Sequence, residues 1–189
     1  MRIYTRKGDT GTTGLLFGGE RVSKASLRTD AYGGTDEAVS ALGLARAAIG
    51  SQTDRTEARL AALILRIQRE LFVVGAELAT HADRRGKLTA GTSLVTPEMV
   101  TALEGEIDAL EADHPMPAEF VLPGESMTGA ALDLARTSVR RAERRAVALA
   151  DAGELNGSQV VPYLNRLADL LFVMARAADG GFRPVRGGP

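Results

Sequence analysis

The chain predicts an all-α fold, a five-helix bundle preceded by an irregular N-terminal segment, and three observations point there. Apolar residues recur at alternating spacings of four and three over long stretches. Alanine is abundant, while aromatics make up only 4% of the 189 residues. Capping and stop residues fall between the periodic stretches. The four-three rhythm returns apolar side chains to one helix face, and small side chains let neighbouring helices approach, so together these features favour helix packed on helix.

The first helix is predicted over 35–49, on a weak seam of Ala38, Ala41, Ala45 and Ala48 thickened by Leu42 and Ile49 and closed by Gly50. The second, 54–82, carries Leu60, Ile64, Ile67, Leu71, Val74 and Leu78, and opens on Asp54 with Glu57 three residues on, the spacing of a capping box. The third, 97–113, carries Val100, Leu103, Ile107 and Leu110. It follows Thr96-Pro97-Glu98, a cap with proline in the first turn, and stops at His114-Pro115. The fourth, 126–151, repeats the rhythm through Leu132, Ala135, Val139, Ala142, Ala146 and Leu149 and stops at Gly153. The fifth, 159–178, does so through Val160, Leu164, Leu167, Leu171, Met174 and Ala178, ahead of Gly180-Gly181. Residues 1–29 show neither periodicity, apart from a short strand at 2–5. Residues 83–96 read as a connecting loop, and 180–189 as a tail too rich in glycine and proline to pack as a regular element. The chain therefore reads as one domain over 1–189, with an N-terminal segment 1–29, a helical bundle 30–179 and the tail.

The bulk numbers remove several function classes. Lys+Arg of 23 against Asp+Glu of 24 leaves a net charge of −1, so no global field draws the protein to nucleic acid or anionic lipid. With no cysteine there is no disulfide, thiolate nucleophile or cysteine metal site, which fits a reducing compartment. The opening Met-Arg-Ile-Tyr has no apolar signal region, and no apolar run nears the ~20 residues that span a bilayer, so the expectation is a cytoplasmic protein with no membrane partner.

Positive charge is instead local. The opening Thr5-Arg6-Lys7-Gly8-Asp9-Thr10-Gly11-Thr12-Thr13-Gly14 mixes basic, hydroxyl and glycine residues, a composition able to turn backbone N–H groups around an anion. Its glycine spacing matches neither a P-loop nor a dinucleotide fingerprint, and a flexible N-terminal arm is the bland alternative. Lys24 is a further phosphate ligand or a surface lysine. Far downstream, Arg136, Arg140 and Arg144 differ by four and form a helical stripe, with Arg141, Glu143 and Arg145 alongside. A solvated basic face would explain the stripe, but arginine suits bidentate phosphate contact and acids do not alternate with it. Loop and stripe together suggest a polyphosphate site.

The remaining signals are single residues. Asp36 falls in the first turn of its expected helix, where the dipole favours a carboxylate, and is either a cap or an ion-pair partner of one of the arginines. Asn165 lies among Tyr163, Leu164 and Leu167 and is expected to be partly buried, with an amide that needs partners. Phe120, one of only five phenylalanines, reads by default as a loop anchor. His81 and His114 have no neighbouring ligand partner, so no metal site is expected from protein side chains. No serine, histidine and acid arrangement stands out, so the chemistry does not call for a protein nucleophile.

These motifs are similar to those of the PduO-type ATP:cob(I)alamin adenosyltransferases, also called corrinoid adenosyltransferases, over nearly the whole chain. The matching stretches are Ile3-Tyr4-Thr5-Arg6-Lys7-Gly8-Asp9 with Gly11-Thr12-Thr13, Phe17-Gly18-Gly19-Glu20-Arg21-Val22-Ser23-Lys24, and Ala31-Tyr32-Gly33 with Asp36-Glu37 and Ser40-Ala41-Leu42-Gly43. They continue in Phe120-Val121-Leu122-Pro123-Gly124, Ala135-Arg136-Thr137 with Arg140-Arg141-Ala142-Glu143-Arg144, and Tyr163-Leu164-Asn165-Arg166-Leu167-Ala168-Asp169.

The resemblance implies a ferritin-like five-helix bundle assembled as a homotrimer, with active sites between subunits. It also implies transfer of the 5′-deoxyadenosyl group of ATP to the cobalt of cob(I)alamin, releasing triphosphate, with Mg²⁺ accompanying the nucleotide. In its terms, Thr5, Arg6, Lys7, Gly8, Thr12 and Thr13 of the 1–29 segment hold ATP, completed by Lys24, Arg140, Arg141, Glu143, Arg144 and Asn165. Asp36 and Arg136 pair across the subunit interface, and Phe120 presses on the lower face of the corrin. These four, Asp36, Phe120, Arg136 and Arg140, are the residues expected to carry catalysis. A B12-dependent mutase and a corrinoid reductase are the implied protein partners. The alternatives are a non-catalytic carrier of ATP or adenosylcobalamin that serves such a mutase, and a ligand-free structural bundle.

Five positions depart from the family pattern. Lys7 stands for a threonine or asparagine, Leu16 reads as an extra residue before Phe17, Glu125 stands for a second glycine, and Asp133 and Asp179 replace a histidine and an asparagine.

Overall fold

The computed structural model describes residues 3–50 and 54–186. It contains α1 (Leu27–Ile49), α2 (Arg55–Leu78), α3 (Pro97–Asp113), α4 (Met127–Asp151) and α5 (Val160–Asp179), with a 3₁₀ helix at Ala82–Lys87 that runs from the end of the expected second helix into the expected 83–96 loop. Two short antiparallel ribbons complete it: β1 (Thr12–Thr13) with β2 (Val22–Ser23), and β3 (Val121–Leu122) with β4 (Arg183–Pro184). Among the described residues no helix is long and apolar enough to cross a membrane.

The four-three seams of α2, α4 and α5 form the core. Leu60, Ile64, Ile67, Leu71, Val74 and Leu78 of α2 are buried, as are Leu132, Ala135, Val139, Ala142, Ala146 and Leu149 of α4 and Val160, Leu164, Leu167, Leu171 and Met174 of α5. The helix α4 lies between α1 and α5, α2 packs on α1 and α5, and α3 rests on α5. Leu103 and Leu110 bury the inner side of α3, while Arg59 and Arg66 of α2 pair with Glu106 on the same helix. Tyr163 is the largest fully buried side chain, and its hydroxyl donates to Glu70 at 2.8 Å.

Four expectations need correction. Helix α1 begins at Leu27, eight residues ahead of 35, because Ser26 caps it by accepting the Thr29 N–H and the Gly33-Gly34 pair does not break it. Gly34 is a packing residue: a Cβ there would lie 3.1 Å from the Ala142 Cα, so a side chain would hold α1 off α4. Helix α2 ends at Leu78, short of 82, because other segments capture its last carbonyls. Arg28 donates to Leu78 O and Thr80 O, and the Leu16 N–H donates to Ala79 O.

The tail does form regular structure, with Arg183–Pro184 pairing on Val121–Leu122 and the Val185 N–H donating to Phe120 O at 2.8 Å. At 2–5, Arg2 lies outside the described residues and 3–5 is not a strand. The cap at 54 holds as expected, with Asp54 accepting from the Glu57 N–H, and α4 opens on a cap the sequence reading did not name, Ser126 accepting from the Gly129 N–H. Thr96 instead turns its hydroxyl to the exposed Glu98, and that hydrogen bond keeps the Glu98 carboxyl below its ordinary pKa.

Candidate active site

The opening segment is an ordered turn on a small ribbon. Arg6 and Gly11 take φ of 59° and 79°, the left-handed conformation that bends the chain back, and Gly11 N–H donates to Gly8 O at 3.1 Å. The β1 and β2 strands then set Thr12 opposite Ser23, and the Lys24 N–H donates to Gly11 O at 2.9 Å. This brings the Lys24 ammonium against Gly8, 2.9 Å from where a Cβ would stand. Gly8, the Thr12 carbonyl and the Lys24 side chain thus meet at one turn, although Lys24 is well separated from Gly8 along the chain. Arg6 stacks over Tyr4, 5.4 Å from the ring centre. The Leu16 departure has a structural role: this residue docks the segment on the end of α2 through Ala79 and Thr80, and Phe17 follows with a φ of 63°.

The arginines of α4 divide between two sides of the helix. Arg141 places Nε and Nη2 on Glu37 of α1, at 3.1 and 2.6 Å, and Arg145 pairs with Asp30 at 2.9 Å. The 136–140–144 stripe faces elsewhere. Arg136 and Arg140 line a cleft of about 420 Å³ with Glu111, Arg166, Asp169 and Phe172, and Arg144 donates to Arg140 O at 3.1 Å. Asn165 is exposed, contrary to expectation, because its side chain projects outward from α5. Its amide donates to Glu143 at 3.0 Å, so these two expected nucleotide ligands do meet across α4 and α5.

Phe120 is 88% exposed beside a cavity of about 1050 Å³, lined by Pro117, Val121, Pro123, Arg136, Phe172, Arg176, Val185 and their neighbours. Its loop is pinned by β4, and Glu125, the glycine departure, pairs with Arg183 at 3.1 Å. Beneath the cavity runs a charged chain that the sequence did not reveal. The Arg136 Nε donates to Asp133 at 3.1 Å. Arg176, only 3% exposed, donates to Asp133 at 2.5 Å and to Asp179 at 3.0 Å. Asp179 in turn accepts from Ser126 at the start of α4, at 2.8 Å. The two aspartate departures therefore share one arginine, which lies over the Phe172 ring. A charged residue interrupting the apolar Leu170-Leu171-Phe172-Val173-Met174-Ala175 run was the available signal, since such a group is buried only when paired.

Asp36 lies well inside α1 rather than in its first turn, so the dipole argument for it fails. It is exposed, and among the described residues it makes no ion pair. Among the described residues no hydrogen bond or ion pair joins the 5–24 turn to the 136–144 stripe, and no cluster of three or more acids and histidines could hold a metal.

The helical bundle therefore presents two chemically unlike surfaces, a polar, basic turn at one place and an arginine-lined, largely apolar cavity at another. The model of the cobalamin adenosyltransferase family matches residues 3–178, and the chain belongs to that family. It is 42% identical to the corrinoid adenosyltransferase of Bacillus subtilis over 95% of this chain and 87% of that one. It is equally similar to the corrinoid adenosyltransferase PduO of Salmonella typhimurium, of which it spans half the length. Among solved structures, a Phe-to-His variant of the PduO-type ATP:corrinoid adenosyltransferase from Lactobacillus reuteri, complexed with cobalamin and ATP, superposes with a TM-score of 0.85. The two chains are 31% identical, over 100% of this chain and 98% of that one.

Proposed function

We propose that this protein transfers the 5′-deoxyadenosyl group of ATP to the cobalt of cob(I)alamin, forming adenosylcobalamin and releasing triphosphate. Family membership over residues 3–178 carries the reading, and the pairing of an anion cradle with a Phe120-rimmed cavity supports it. The reduced cobalt of the substrate supplies the electron pair for the new cobalt–carbon bond, and the C5′–oxygen bond breaks with its electrons passing to the triphosphate. The protein then has two tasks, to align the two substrates and to stabilise charge on the leaving oxygens.

In this reading Thr5, Arg6, Lys7, Gly8, Thr12, Thr13 and Lys24 cradle the phosphates. Arg140, Arg144 and Arg141 supply fixed positive charge, and the Glu143–Asn165 pair borders the nucleotide. Mg²⁺ shields the triphosphate. Glu143 is the acid that would be available to help hold the ion, which would neutralise phosphate charge, and this suits a site without an all-protein cage. Phe120 presses on the corrin while Arg136 lines the cavity beneath.

The cradle and the stripe come from neighbouring copies in a homotrimer. Asp36, without an ion pair among the described residues, meets the Nη edge of Arg136, whose Nε stays on Asp133. Exposed Leu44, Leu134 and Val147 supply apolar surface for such an assembly. We place the protein in the cytoplasm, taking Co(I) from a corrinoid reductase and passing the product to a B12-dependent mutase.

The test is anaerobic incubation with ATP, Mg²⁺ and chemically reduced cobalamin, followed by the light-sensitive spectrum of the cobalt–carbon product. Absence of that product overturns the reading. Loss of turnover in Arg140→Ala, with cobalamin binding retained, separates an enzyme from a carrier, since a carrier has no step for this arginine to assist.

A further inference from the structure

The 5–24 turn closes on Arg21. Its Nη2 donates to Lys7 O at 2.7 Å and to Thr12 O at 2.8 Å, and its Nε donates to Thr12 Oγ1 at 3.0 Å. Lys7 and Thr12 are the two shoulders of the turn that carries Gly8 and Gly11, so one guanidinium ties the entry of the turn to its exit. At its exit the turn is anchored by the β1–β2 pairing and by the Lys24 N–H to Gly11 O bond, while its entry at Lys7 has little besides Arg21 to hold it. Its internal backbone bonds are Asp9 N–H to Arg6 O at 3.4 Å and Gly11 N–H to Gly8 O at 3.1 Å, and Arg6 and Gly11 sit in the left-handed region. Its residues are mostly exposed, so burial contributes little.

A guanidinium whose donors point inward at carbonyls is placed to shape the chain, and the ammonium of Lys24, three residues on, is left to face Gly8.

We propose that Arg21 is a positioning residue for the triphosphate of ATP, holding the 7–12 turn in its anion-accepting shape before the nucleotide arrives. The inference rests on the ATP reading of this turn. Without Arg21 the turn samples open forms, and the ordering is charged against nucleotide binding. A turn closed only a tenth of the time weakens apparent ATP affinity about tenfold. Cobalamin, bound at the Phe120 cavity, does not feel the change.

Two variants test this, Arg21→Met, which removes the donors, and Arg21→Lys, which keeps the charge but loses the fork that reaches Lys7 O, Thr12 O and Thr12 Oγ1 together. Amide exchange is followed in the nucleotide-free protein at Gly11 and Lys24, and steady-state constants are measured for both substrates. Both variants are expected to exchange faster at these two amides. ATP KM should rise about tenfold in each, while cobalamin KM and the nucleotide-free Tm stay at the wild-type values. Unchanged exchange in Arg21→Met overturns the proposal. So does recovery of wild-type ATP KM by Arg21→Lys, which would make Arg21 a charge on the phosphate instead. Should the wild type lack adenosyltransferase activity, the functional reading fails separately, and the exchange rates with the ATP-induced Tm shift still decide the role of Arg21.

Discussion

Arg21 in the opening turn and Arg176 beneath the Phe120 cavity each bind several oxygens, yet they do so in opposite surroundings. Arg21 works on exposed chain and meets neutral carbonyls and a hydroxyl. Arg176 is buried and meets two carboxylates, while Asp133 passes the contact on to Arg136. Water can replace what Arg21 provides, whereas nothing replaces the partner of a buried charge. In the proposed reading the nucleotide end of the site is therefore tuned by loop order, and the corrin end is bound up with the stability of the bundle.

That contrast is most severely tested at Asp133. Asp133→Ala leaves Arg176 buried with one carboxylate and releases Arg136, and should cost about 3–5 kcal/mol, read as a shift in the urea midpoint. A loss under 1 kcal/mol would mean that the cavity end is no more committed to the fold than the loop.

Next come two glycines of different kinds. Gly34→Ala drives a methyl toward the Ala142 backbone and should destabilise by about 1–3 kcal/mol by the same measurement. Gly8→Ala crowds the far end of the Lys24 side chain, which can swing away, and meets the Thr12 carbonyl oxygen only at ordinary contact distance. Stability should stay within about 0.5 kcal/mol, while ATP KM rises several-fold because the ammonium has left the turn.

The smallest effect at neutral pH belongs to Tyr163. Burial foremost, and then the Glu70 charge, push its phenol well above the ordinary value of 10.0. The folded state therefore keeps the proton while the unfolded chain releases it. This contribution to stability is whole below pH 10 and is lost as pH rises above it toward the folded pKa. Tyr163→Phe should flatten the alkaline limb of a Tm-against-pH curve.

The seams of α2, α4 and α5 were legible because each spans several turns, and repetition of Leu60, Ile64, Ile67 and their successors leaves one face to bury. The start of α1 was not. Gly33-Gly34 carries the local signature of a break, and only the α4 backbone, 3.1 Å from where a Cβ of residue 34 would stand, explains why a glycine is needed inside a helix. The tail was misread in the same way, since Arg183–Pro184 has no reason to be a strand until Val121–Leu122 offers it an edge. In the site, the Arg136, Arg140, Arg144 stripe was visible from spacing, whereas the Glu143–Asn165 contact was not. The diversion of Arg141 to Glu37, the outward turn of Asn165 and the shared Arg176 were not.

By itself the sequence determined the helical class, the core faces, the family and the two groups of basic residues, because periodicity and local motif are properties of neighbours along the chain. Tertiary structure alone decided which charges are spent inside the protein and which remain for ligands. Arg21, Arg141 and Arg176 carry the same guanidinium as Arg140, and only the groups that folding brings within about 3 Å, the reach of a hydrogen bond, distinguish a brace from a ligand.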